Sequence, residues 1–484
     1  MTSISRTTVL YLALALTALA GCAVNPATGR NDLTFMSESQ EIGIGRQMHG
    51  EILKEMPIYQ DADIQNYVNK IGQAVAKTSH RNNLSYSFTV IDSPDINAFA
   101  LPGGFIYINR GLLTYLNSEA ELAAVLGHEI GHVTARHSVR QHSASVVATG
   151  VSAVLTILSG ERAVGDLTNT AGAAIVSGYG RDHELEADSL GAEYLFNAGY
   201  DPQAMIKVIG VLKDQEEFSR SKAQQEGEQV QSYHGLFATH PRNDTRLQQS
   251  VAKAGKLSTK YKNTGEADFR KHIQGVEFGD STQSGVRRAN RFYHKPLGFT
   301  FAFPTGWKMQ NTQAAVVVYP QQKDGFLQLV VENKIDNLTP ERFARERLNV
   351  YNLKYGETFS QDGLIGYTGI IPATMKHPDL RLAVIFHQQR AYVFTGIRKS
   401  GGTLQQYDPF FMSTIKSFRP LKASEASLAE GKRIVYIKAK ANTTYATLAS
   451  GSSINEYPEE QLRLLNGDYP DGQPKAGAWI KIVK

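Results

Sequence analysis

A chain of 484 residues is too long for one ordinary domain, so about two to four are expected. Its 42% hydrophobic and 20% charged residues are those of a globular protein able to bury real cores. The net charge of +5 comes without a long basic run or aromatics interleaved with Lys and Arg, which excludes a clustered nucleic-acid face.

The first residues, MTSISRTTVLYLALALTALAGCAVNP, place Arg6 before an apolar stretch from Val9 to Leu19. That stretch is too short for a bilayer-spanning helix, which needs roughly 20 residues, but it fits an export signal. Leu19-Ala20-Gly21-Cys22 resembles the lipobox of bacterial lipoproteins, which implies cleavage after Gly21 and acylation of Cys22. Cys22 is the only cysteine, so the exported part must fold without disulfides. Helical patterning then runs from Ser37 through Ile42, Ile52, Ile64, Val68, Ile71 and Val75. Tyr86, Phe88 and Val90 alternate as in a half-buried strand, and Asn97 to Ile108 predicts two strands interrupted at Pro102-Gly103-Gly104. Ser118 with Glu121 three residues on predicts the start of a helix whose apolar residues are Leu122, Val125, Leu126, Ile130 and Val133. Apolar segments at 144–158 and 170–177 predict buried or groove-lining helices, and a further helix runs from Arg181 to Gly199.

Between residues 256 and 290 Lys, Gly, Ser and Gln predict a linker region, with room for short helices. Residues 291–421 predict a separate α+β domain. Its expected strands lie near 299–303, 315–319, 326–331, 382–386 and 392–397, and its expected helix is capped by Thr339. A last unit, 432–484, runs strand, helix, helix, strand.

The chemistry lies in His128-Glu129-Ile130-Gly131-His132. Residues four apart on a helix differ by about 40°, so both imidazoles project from one face and suit two ligands of a tetrahedral Zn²⁺. Glu129 sits beside that metal position, where its carboxylate can take a proton from an activated water. Burying such polar groups among Leu126, Ile130 and Val133 without partners would be costly, which argues against an ordinary helix rich in His. His137 follows His132 by five residues, so it points about 140° off the ligand face. A surface place or one behind the ligands is expected for it. The third ligand is sought in Arg181-Asp182-His183-Glu184-Leu185-Glu186-Ala187-Asp188, where Glu184 and Asp188 share a helix face. Glu184 is assigned as ligand and Asp188 as the acceptor for the other ring nitrogen of His128. Glu186 is the rival ligand, about 160° away and without a carboxylate four residues on.

Together HEIGHVTARH, Glu184 with Asp188, Thr239-His240-Pro241 with Arg246, and Asn97 to Gly104 resemble the M48 peptidases, the HtpX-like zinc metalloproteases. NPATGR and MSESQEIGIGR resemble the opening of their periplasmic lipoprotein members of the BepA and LoiP type. The resemblance covers residues 25 to 250. It implies a mainly helical gluzincin-type domain over 22–255 with a small active-site sheet, one zinc per chain, and an α+β fold class overall. It further implies that Ala98, Phe99, Ala100 and Leu101 edge the sheet and pair with an extended peptide. His240 would lie over the metal, as transition-state stabiliser or removable fourth ligand, with Arg246 near it. Residues 433–484 resemble a LysM-like module, although Asn442-Thr443-Thr444 stands where GDTL is usual.

The expectation is a zinc endopeptidase, held at the periplasmic face of the outer membrane through Cys22 and cleaving extended or misfolded envelope polypeptides. Outer-membrane assembly machinery and peptidoglycan are the further partners implied, and nucleic acid is not. The alternative is a chaperone-like or peptidoglycan-associated binding lipoprotein with a latent zinc site.

Overall fold

The helical pattern from Ser37 to Val75 resolves into two helices in the computed structural model. The model describes residues 22–27, 29, 31–33, 36–141, 179–227, 264–312, 314–375, 377–399 and 403–484. An antiparallel pair of three-residue strands, β1 (Cys22–Val24) with β2 (Asn31–Leu33), comes first. Ser37 and Gln40 close a reciprocal capping box that starts α1 (Glu38–Glu55). Pro57 forces Met56 into extended backbone and ends it. Asp61 then caps α2 (Ala62–Ala76) by accepting from the N–H groups of Asp63 and Ile64.

The chain divides into two units, one of residues up to Phe278 together with Arg433–Lys484, the other Gly279–Lys432. In the first unit β3 (Ser87–Ile91) runs parallel to β5 (Phe105–Asn109), and β4 (Ala98–Leu101) lies antiparallel to β5 at the edge. Gly103 and Gly104 have φ of 80° and 95°, the left-handed conformation that the tight β4–β5 turn requires. One face of this sheet carries α1, through Met48, Ile52 and Met56 against Leu101 and Tyr107. The other faces the main core, shared with α2 and with α4 (Glu119–Thr134), which follows the short α3 (Arg110–Tyr115). Ser118 starts α4 by accepting the N–H of Glu121 (3.2 Å), while the Glu121 carboxylate accepts the N–H of Asn117 (2.7 Å).

Helix α5 (Arg181–Asn197) packs along α4, and α6 (Ala204–Gln225) completes that side. Residues 256–290 are only partly the expected linker: α7 (Glu266–Ile273) buries Phe269 and Ile273 in the main core, and β6 (Glu277–Phe278) joins a sheet. The expected helices at 144–158 and 170–177 lie outside the described residues.

The C-terminal segment shows the expected order, strand Lys432–Lys438, helices Tyr445–Ala449 and Pro458–Asn466, strand Trp479–Val483. It is not the separate unit that its order suggests. The Lys432–Lys438 strand pairs with both Trp479–Val483 and β6, and Leu462, Leu465 and Val483 are buried in the same core as Leu116 and Ala120. Lys481, fully buried, donates from Nζ to the carbonyls of Thr114 (2.6 Å) and Leu116 (2.8 Å) at the end of α3.

In the second unit seven antiparallel strands form one sheet in the order 308–311, 316–319, 325–333, 390–398, 380–387, 364–371, 354–361. One face packs Phe299, Phe301, Phe394, Phe411 and Phe418, and the other is covered by Phe343 and Ala344 of a helical segment begun by Thr339. The Lys354–Gln361 and Leu364–Ile371 strands are absent from the sequence expectation. The first is nearly all exposed and so lacks an apolar alternation.

Candidate metal centre

Small residues make the site possible. Gly127 and Gly131 on α4 face Gly191 and Ala187 on α5, and the two backbones approach so closely that a Cβ on Gly131 would lie 2.8 Å from the Ala187 carbonyl oxygen. One on Gly191 would lie 3.0 Å from the His128 nitrogen. This seam brings the acidic face of α5 onto the His face of α4.

The Nε2 atoms of His128 and His132 point at one another, 3.0 Å apart. Glu184 sets Oε2 at 3.5 Å from His128 Nε2 and Oε1 at 3.4 Å from His132 Nε2. Ligand atoms of a tetrahedral zinc with bonds of about 2.0–2.1 Å lie roughly 3.3 Å from one another, so this donor set has the spacing zinc requires. His128, His132 and Glu184 are the group among the described residues able to hold a metal ion. Glu129, next to His128 in the chain, has both carboxylate oxygens buried.

Each histidine is held from behind. Asp188 Oδ1 lies 2.8 Å from His128 Nδ1. Burial opposes charge on His128, but the Asp188 and Glu184 carboxylates outweigh it and raise its proton affinity well above the ordinary imidazole value. His132 is held by another imidazole, with Nδ1 2.8 Å from His137 Nδ1. His137 Nε2 is 3.0 Å from Glu186 Oε2, and Arg140 Nη1 donates to that same oxygen at 2.6 Å. Burial pushes His137 down to about 4. Burial would raise Glu186, yet His137 and Arg140 bring it down to about 2. Tyr179 stacks on the His132 ring at 4.1 Å, and His183 stacks on His137 at 4.4 Å.

His137 reaches this place because α4 ends at Ala135 and Arg136 turns the chain at φ 55°. That turn is fixed from far away in sequence. Arg136 donates to the buried carboxylate of Glu41 (2.8 Å) and to the Met36 carbonyl (2.8 Å), and Arg81 donates to Glu41 and to the Val133 carbonyl. Asn25 reaches the same helix end, donating to the Ala135 carbonyl at 3.4 Å.

Glu186 faces His137 rather than the metal position. Ala98, Phe99, Ala100 and Leu101 form β4 at the sheet edge, next to α4. Cys22 opens β1. His240 and Arg246 lie outside the described residues. Sequence reasoning missed Tyr179, His183 and Arg140 as neighbours of the site, and took Glu186 only as a rival ligand. The helical spacing of Glu186 from Glu184 placed it away from the ligand face, and nothing placed it on His137.

Residues 62–253 match the model of Peptidase family M48. The chain is 29% identical over 242 residues to the beta-barrel assembly-enhancing protease of Yersinia pestis, covering 48% of this chain and 47% of that one. It is 38% identical over 165 residues to the mitochondrial metalloendopeptidase OMA1 of Arabidopsis thaliana, 33% of this chain and 32% of the relative. With the metalloprotease YcaL of Escherichia coli K12 it shares 29% identity over 188 residues, 37% of this chain and 68% of that one. The chain thus spans about half the length of the first of these relatives. The segment that matches the M48 peptidases, whose cofactor is zinc, contains the metal-binding group His128, His132 and Glu184.

Proposed function

We propose that the chain is a zinc endopeptidase that cleaves extended or misfolded envelope polypeptides, held at the outer membrane through Cys22. The observation that carries the reading is the convergence of His128, His132 and Glu184 with a buried Glu129 beside them. Zinc bound by those three residues supplies Lewis acidity, which polarises a carbonyl oxygen and acidifies water. Glu129 then acts as the proton carrier. Its carboxylate takes one proton from the attacking water as the new C–O bond forms, and delivers it to the amine nitrogen as the C–N bond breaks.

Position at the sheet edge supports β4 as the strand that orients substrate. Backbone pairing along Ala98 to Leu101 would read an extended chain regardless of its side chains, which suits unfolded substrates over folded ones. Similarity to a relative named for enhancing β-barrel assembly supports envelope polypeptides as the substrate class. His240, by the family resemblance, would steady the developing negative charge or cap the metal at rest.

Changing Glu129 to Gln removes the proton carrier and keeps the metal ligands. Proteolysis of an unfolded casein-type substrate is expected to fall by about 10²–10⁴-fold with zinc content unchanged. Proteolysis at the wild-type rate in that variant would overturn the mechanism, and absence of zinc from the purified wild-type chain would overturn the site.

A further inference from the structure

A histidine ligates metal through a bare ring nitrogen, and which nitrogen is bare depends on what the other one meets. For His128 the partner is the Asp188 carboxylate, which only accepts, so the hydrogen sits on Nδ1 and Nε2 is the ligating nitrogen. For His132 the partner is His137, an imidazole able to donate or accept, so the hydrogens have to be traced from further out.

Arg140 lies at the outer end and can only donate, and it does so to Glu186 Oε2. Glu186 is an ionised carboxylate in that pairing and can only accept, so the 3.0 Å contact with His137 must carry its hydrogen on His137 Nε2. A neutral His137 then presents a bare Nδ1. The 2.8 Å contact between the two Nδ1 atoms needs one hydrogen, and only His132 can supply it. His132 is thereby left with a bare Nε2, aimed at the Glu184 oxygen 3.4 Å away and at the metal position.

We propose that Arg140, Glu186 and His137 form a directional hydrogen-bond relay that holds His132 in its metal-binding tautomer. They are positioning residues and touch neither substrate nor metal. The inner end of the relay is sealed, while Glu186 and Arg140 at its outer end are partly exposed. His132 and His137 are 1% and 0% exposed, so water cannot replace a lost partner, and the stacked Tyr179 and His183 rings hold both imidazoles in plane with their contacts. Two helices are tied together by it, since His137 and Arg140 follow α4 while Glu186 belongs to α5. The relay rests on the zinc-site reading above.

The test uses the full chain. Nitrogen-15 NMR of labelled histidines in chelator-treated protein is expected to show the His132 hydrogen on Nδ1. Zinc affinity, measured by competition with a chromophoric chelator, is expected to fall about 10–100-fold in His137→Leu and in Glu186→Ala. His137→Gln keeps an amide oxygen able to accept from His132 and is expected to recover most of the loss. The relay is overturned if His132 carries its hydrogen on Nε2 in the metal-free wild type, or if His137→Leu binds zinc as tightly as wild type. Equal loss in His137→Gln and His137→Leu also overturns it, in favour of a packing role. If His137→Leu does not fold, the Glu186→Ala affinity and the wild-type tautomer decide. A wild-type chain without zinc affinity would sink the site reading, while the tautomer would still report on the relay.

Discussion

Asp188 and Glu184 stand one turn apart on α5, yet they reach opposite ends of the His128 ring, Nδ1 for Asp188 and Nε2 for Glu184. Removing the first without the second should loosen the metal and leave the ligand set complete. Asp188→Ala is expected to weaken zinc binding about 10–100-fold in the same competition assay, with little change in secondary structure by circular dichroism. This pair was legible in the sequence because a single helix carries both residues, and its angular rule alone puts them on one face. His137 was legible as a residue outside the ligand set, at the surface or behind the ligands, but not as the partner of His132. The 140° offset assumed a helix that continues past His132, and the helix stops two residues short of His137. What swings His137 behind His132 is the turn at Arg136, pinned by Glu41 from 95 positions earlier. No local pattern contains that.

Helix α4 owes its partner to missing side chains. Leucines at Gly127 or Gly131 would pack well in an ordinary helix pair, but would hold the Glu184 carboxylate away from the imidazoles. Gly131→Ala puts a methyl against the Ala187 backbone, and backbone cannot swing aside as a flexible side chain does. The expected result is a loss of about 1–3 kcal/mol in chemical denaturation, together with weaker zinc binding. Unchanged zinc affinity would show that the seam does not set the ligand spacing. A second element-scale test concerns the Trp479–Val483 strand. Burial depresses Lys481 to about 7, against the opposing pull of Glu121, whereas the unfolded chain keeps a lysine near its ordinary value. Between those two values the unfolded state binds more protons, so this residue makes the fold more stable as pH rises from 7 toward 10. The Tm of wild type relative to Lys481→Met is therefore expected to rise, on the order of a few degrees, between pH 7 and 9.5. A constant difference would mean that Lys481 stays charged in the fold. The strand itself was legible as an alternating run, but its burial against α3 was not, because the contact spans more than 360 residues of chain.

At the scale of the molecule, the unit holding the metal centre is discontinuous. Ile434 N–H donates to the Val276 carbonyl at 2.9 Å, so the chain leaves this unit at Phe278 and re-enters beside its own exit. Gly279–Lys432 is thus an insertion with its own aromatic core. Replacing it by a short glycine-serine link is expected to leave zinc binding and most of the unit's thermal stability intact. Deleting everything after Lys432 is expected to do the opposite, by uncovering Leu116 and stranding the carbonyls of Thr114 and Leu116. Limited proteolysis of the two variants, with zinc analysis, separates these outcomes. The composition shift near residue 256 announced a boundary, but a linear reading makes every boundary a cut between consecutive domains and has no means of expressing a return. That return also sets a clock. The core around His128 and His132 stays incomplete until residues 479–483, some 350 positions further along, have been made. A growing chain therefore holds the residues of its metal-binding group long before the strand that packs into the same core.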